Sequence, residues 1–138
     1  NWGKTRKLIH SNMKIEGKSL WGDEYAKAIC SFDINLGFLR KINRDLQTTR
    51  SIEIPACGAF MLMERTDEHL ALFEEGQEAV FFSSKEELFE KVKYYLRHEE
   101  ERKSIAQAGR KRCLKSGYSN NERMNSMLQI IEKLNGSN

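Results

Sequence analysis

Apolar residues fall along this chain in two ways, as short unbroken runs and as stripes at helical spacing. Three runs stand out: Ile34 to Leu39, Ala59 to Met63 and Ala79 to Phe82. Each has the length and content of a strand. Polar alternation is missing from them, which predicts a sheet covered on both faces. Lys7–His10 and Met13–Glu16 are two further candidate strands.

Helical patterns fill the intervals. Tyr25, Ala26, Ala28 and Ile29 suggest a helix over Asp23–Ser31, and residues 51–57 suggest a short one that stops at Gly58. Thr66 suits the N-cap of a helix carrying Leu70 and Phe73, and Glu75-Gly76 makes a turn. Ser84 with Glu87 forms a capping-box pattern, followed by Leu88, Val92 and Leu96. A helix from Glu99 to Leu114 puts Ile105, Ala108 and Cys113 inward and stops at Gly117. Its first residues, Glu99 to Arg102, read as an exposed start. Ser119 with Glu122 opens the last helix. There Met124, Leu128, Ile131 and Leu134 read as a core stripe, closed by Gly136.

Buried runs alternating with helices argue for βαβ units and a parallel sheet. The expected class is α/β. It is a Rossmann-like three-layer half-domain with three or four parallel strands flanked by helices, ending in two or three consecutive helices.

Composition sharpens this picture. The chain has 138 residues, 39% hydrophobic and 31% charged, enough for one packed domain and against intrinsic disorder. Charge is banded: ten basic and five acidic residues over 1–50, six and twelve over 64–102, seven and two over 103–138. No concentrated basic stripe with interleaved aromatics is present, so nucleic acid is not an expected partner. The basic first third suits a small anion such as a phosphate. Cys30, Cys57 and Cys113 are odd in number and widely spaced, and read as buried reduced thiols in the cytoplasm. His10, His69 and His98 have no ligand spacing, and no metal site is expected. No apolar run approaches the roughly 18 residues of a membrane span. The chain starts at Asn1 without an initiator Met, which suggests part of a longer protein.

In open parallel sheets ligands bind beyond the carboxyl ends of the strands. Here those ends lead into Arg40–Arg50 and Glu64–Thr66. The first loop is rich in polar groups, among them Arg40, Arg44, Asp45, Thr48, Thr49 and Arg50. A helix starting near Thr49 would aim free N–H groups at the crevice, which suits a phosphate. Glu53, in its first turn, would accept hydrogen bonds from paired sugar hydroxyls. The single proline, Pro55, would fix the backbone early in this helix. A carboxylate there is also favourable by about 0.3–1 kcal/mol with no ligand at all. From the residues alone, a ligand site and a solvated loop both stay open. No GxGxxG, P-loop or Ser/His/Asp order is present.

The stretch from Asp45 to Leu62, Asp-Leu-Gln-Thr-Thr-Arg-Ser-Ile-Glu-Ile-Pro-Ala-Cys-Gly-Ala-Phe-Met-Leu, followed by Glu64, Arg65 and Thr66, resembles the donor-side segment of group 1 glycosyltransferases. The branch it resembles most includes spore-maturation-type proteins. The resemblance continues through Phe73 to Phe82, Glu86 to Leu88 and Tyr94 to Leu96. It then takes in Glu101, Arg102, Ile105 to Gly109, Tyr118 and Arg123, in order over about residues 20–130.

That resemblance implies the C-terminal Rossmann-like portion of a two-domain GT-B enzyme, with the N-terminal acceptor domain absent from residues 1–138. It implies a nucleotide-diphosphate sugar as donor and transfer of the sugar to a hydroxyl acceptor. No cofactor or metal is implied. The family carries two acidic residues with seven between them, and Asp45 and Glu53 have that spacing. By the same resemblance Glu53 holds the ribose hydroxyls and Asp45 faces the donor sugar. Thr48, Thr49 and Arg50 serve the diphosphate. Related enzymes commonly have Glu at the first acidic position, and Asp45 is one methylene shorter. The alternatives are a non-catalytic Rossmann-like module that binds nucleotide or protein, and a structural remnant that binds nothing.

Overall fold

The computed structural model describes residues 19–136, so the candidate strands at 7–10 and 13–16 lie outside the described residues. Helix α1 (Gly22–Cys30) leads into strand β1 (Asn35–Gly37), followed by a 3-10 turn (Lys41–Asn43) and helix α2 (Arg50–Ala56). Strand β2 (Met61–Glu64), helix α3 (Asp67–Leu72) and strand β3 (Val80–Phe82) come next. The chain ends in three consecutive helices, α4 (Lys85–Arg97), α5 (Glu99–Lys115) and α6 (Asn120–Asn135).

The three strands form one parallel sheet in the order β1-β2-β3. Asn35 pairs with Met61 and Gly37 with Met63, while Leu62 pairs with Val80 and Glu64 with Phe82. Two cores explain the unbroken apolar runs of β2 and β3, whereas in the first run Leu36 and Phe38 are exposed, since β1 lies at the edge of the sheet and is covered on one face only. Met61, Met63 and Phe81 point to one face, where Ile29, Ile54, Phe73 and Cys113 cover them. Leu62, Val80 and Phe82 point to the other, against Phe60, Tyr95, Ile105 and Ala106. This is the α/β, Rossmann-like half-domain that the patterning predicts.

Caps set the helix starts. Thr66 accepts the N–H of His69 and Ser84 that of Glu87, and Ser119 with Glu122 completes a reciprocal capping box. Gly58, with φ of 74°, turns the chain out of α2 and into β2. Among the described residues, no helix is long and apolar enough to cross a membrane.

Several side chains sit elsewhere than periodicity suggests. In α4 the buried residue of the last turn is Tyr95, while Leu96 is exposed. In α5, Arg102, Ile105, Ala106, Gly109 and Cys113 are buried, and Ala108 is only half-buried. Arg102 is therefore not part of an exposed start. It donates to the Tyr95 carbonyl and to Asp33 at 2.8 Å, which offsets the cost of burying its charge. The stripe of α6 is not core: Met124, Leu128, Ile131 and Leu134 are 49–70% exposed. No other described element packs over it closely enough to bury a residue. Of the cysteines only Cys113 is buried, while Cys57 is half-buried and Cys30 exposed. Pro55 lies in the last turn of α2, not early in it, and is fully buried.

Helix α5 crosses α2 at Gly109. A methyl group there would collide with the Glu78 carbonyl oxygen and lie 3.3 Å from Cβ of Pro55. Gly109→Ala should therefore destabilise the fold by about 1–3 kcal/mol, more than the roughly 1 kcal/mol it gains in helix propensity. Urea unfolding checks this, and an unchanged or higher midpoint would show that the Glu78 backbone yields.

Candidate functional site

Beyond β1 the chain reverses through the 3-10 turn, where Arg44 adopts a left-handed φ of 54° and the Asp45 N–H returns to the Arg40 carbonyl at 3.3 Å. The loop after this turn is pinned to the carboxyl end of β2. Thr66 Oγ1 donates to the Leu46 carbonyl at 2.7 Å while accepting the His69 N–H at 3.1 Å. One hydroxyl thus caps α3 and holds the loop.

A second chain of bonds runs beneath it. The Thr48 N–H donates to Ser51 Oγ at 3.1 Å, and Ser51 Oγ lies 2.8 Å from His69 Nε2. His69 Nδ1 lies 2.7 Å from the Glu64 carbonyl. A carbonyl only accepts, so Nδ1 carries the proton and Nε2 accepts from the Ser51 hydroxyl. Both side chains are fully buried, and the imidazole stacks on Phe81 with 5.4 Å between ring centroids. Burial lowers the His69 pKa below the ordinary imidazole value. Sealed from substrate, this Ser–His pair is a structural tie.

The starts of α1 and α2 line one cleft of about 610 Å³, together with Ser19, Leu20 and Trp21. Tyr25 on α1 donates its hydroxyl to Glu53 Oε2 on α2 at 2.8 Å. The Arg50 guanidinium, on the same cleft, works to lower the pKa of this phenol. Burial, and then the Glu53 carboxylate, raise the pKa of Tyr25.

Of the residues singled out from sequence, the structure brings Thr49, Arg50 and Glu53 together on this cleft. Asp45 and Thr48 are not among its lining residues. Asp45 is half-buried in the loop, and Thr48 Oγ1 is buried with no hydrogen-bond partner among the described residues. The N–H groups of Thr49 and Arg50 donate to no acceptor among the described residues. Those of Ser51, Ile52 and Glu53 close onto the carbonyls of Thr48 and Thr49.

The second loop, Glu64–Thr66, is closed by ion pairs. Arg65 binds Glu75 and Glu87, and Lys91 binds the same two carboxylates. Two cations meet two anions, so no net charge is left for a ligand. Hydrogen bonds from Arg65 first, then Lys91, hold the Glu87 carboxyl down to about 2. Glu87 also takes the Ser83 N–H at 2.7 Å, so the capping pattern at Ser84 is completed one residue early.

Sequence reasoning missed Tyr25 and the Ser51–His69 tie. Tyr25 read as one more apolar residue of a helix, and nothing local marks it as the partner of a carboxylate 28 residues away.

Carboxylate, guanidinium and hydroxyl groups on one cleft beside a parallel sheet suit a polar, anionic ligand. The family model described as glycosyl transferase-like matches residues 1–129. The chain belongs to this glycosyl transferase-like family. Comparison with curated proteins and with solved structures gives no match.

In this glycosyl transferase-like domain the buried imidazole also makes stability depend on pH. The unfolded chain takes up its proton near pH 6.5, whereas folded His69 resists until lower pH. Its contribution is full above about pH 6.5 and falls as the pH drops through the window below. Between pH 7 and pH 5 the wild type should lose stability more steeply than His69→Gln, measured by urea unfolding. Equal slopes would assign the pH dependence to other groups.

Proposed function

We propose that this domain is the donor-binding portion of a group 1, GT-B glycosyltransferase, in the branch of spore-maturation-type proteins. It binds a nucleotide-diphosphate sugar for transfer of the glycosyl group to a hydroxyl acceptor. The observation that carries the reading is the cleft on which Thr49, Arg50 and Glu53 converge, in a chain of a glycosyl transferase-like family.

Glu53 is the acceptor for the ribose hydroxyls, since an ionised carboxylate forms the stronger kind of hydrogen bond to them. Arg50, with the Thr49 hydroxyl and the two N–H groups that have no acceptor among the described residues, faces the diphosphate and stabilises the charge that grows on it as the sugar departs. Asp45 is assigned to the donor sugar. The buried Thr48 reaches a phosphate only if its loop opens. The reading calls on no metal. The acceptor belongs to an N-terminal domain of the same enzyme, which completes the cleft, and the compartment is the cytoplasm, where the free thiols of this chain persist.

Titration calorimetry with uridine, guanosine and adenosine diphosphates tests the reading. Wild type should bind at least one of them, and Glu53→Ala should weaken that binding about ten- to a hundredfold, the worth of hydrogen bonds to a charged group. No heat from folded protein with any of the three would overturn the assignment. Unchanged affinity in Glu53→Ala would remove its ribose contact.

A further inference from the structure

We propose that Tyr25 is a positioning residue that sets the cleft's preference for a nucleotide carrying both ribose hydroxyls over one that lacks them. The inference rests on the nucleotide-binding reading above.

Glu53 lies in the first turn of a seven-residue helix, on a side chain with three rotatable bonds. Left alone, its carboxylate samples several rotamers, and ordering it on binding has an entropic cost. Tyr25 removes that freedom beforehand. Its hydroxyl donates to Oε2 at 2.8 Å from the facing helix, and its own rigid ring has only two side-chain torsions. One lone pair of Oε2 is occupied, while both of Oε1 remain for the two hydroxyls of a ribose.

Arg50 lines the same cleft from the same helix as Glu53. By holding the Glu53 carboxylate on its own hydroxyl, Tyr25 keeps it from collapsing onto Arg50 in a direct ion pair. A collapsed pair would spend on each other the charge that a diphosphate and a ribose need. Arg50 and Glu53 are three apart on one helix, the separation at which such pairs form. In the structure no direct salt bridge joins them among the described residues.

Calorimetry with the best-binding nucleoside diphosphate and its 2′,3′-dideoxy counterpart tests this on wild type, Tyr25→Phe and Glu53→Ala. Wild type should prefer the ribo form by about tenfold or more. Tyr25→Phe keeps the ring, and should lower that preference at least threefold while leaving the dideoxy affinity within twofold. Glu53→Ala should abolish the preference. A merely structural role for Tyr25 would weaken both ligands alike and leave their ratio unchanged, which would overturn the inference while the nucleotide reading stands. A wild type that binds without preferring the ribo form would overturn the ribose assignment and the inference together. Circular dichroism of each variant separates loss of the contact from loss of the fold.

Discussion

The central strand governs this structure. Met61, Leu62 and Met63 are at most 1% exposed, so these three residues of β2 meet water on neither face nor edge, and only Glu64 at its end is half-buried. Each of its backbone N–H and carbonyl groups needs a protein partner, which β1 and β3 supply by parallel pairing. Each face needs an apolar cover as well. Because successive strand residues point to opposite sides, Met61 and Met63 call for α1 and α2, and Leu62 calls for α4 and α5. The layered arrangement comes from one strand whose three apolar residues have no solvent-facing side.

The same strand places the candidate site. Where β2 ends, Glu64 and Thr66 offer a carbonyl and a hydroxyl, and through His69 and Ser51 these hold the loop that opens α2. With α2 fixed, Thr49, Arg50 and Glu53 have a defined place on the cleft, and Tyr25 on α1 closes the arrangement from the other side. A buried neutral imidazole costs less than a buried charge, which suits His69 to a tie inside the core. The ion pairs of Arg65 and Lys91 close the neighbouring loop.

Much of this architecture is legible in the sequence. Unbroken apolar runs mark the three strands, and Thr66, Ser84 and Ser119 mark helix starts, because these signals are local and each residue carries its own preference. Which neighbour a side chain meets is not legible in the same way. The stripe from Met124 to Leu134 is amphipathic, and amphipathicity reports a face but not its cover. Arg102 reads as surface because it is charged, yet Asp33, 69 residues away, and the Tyr95 carbonyl make its burial tolerable. Glu53 is legible from its place in a helix start, whereas Tyr25 is not, since its role exists only across 28 residues.

By itself, the sequence determined the class of fold, the order of its elements and the loop that carries the polar chemistry. These depend on burial preference, capping and turn geometry, which act within a few residues. Only the tertiary structure decided which polar groups became available. It sealed Ser51 and His69 inside, neutralised Arg65, buried the Thr48 hydroxyl and brought Tyr25 to Glu53. The reason is physical: a charge or hydroxyl is free or spent according to its partners in space, and those partners come from distant parts of the chain.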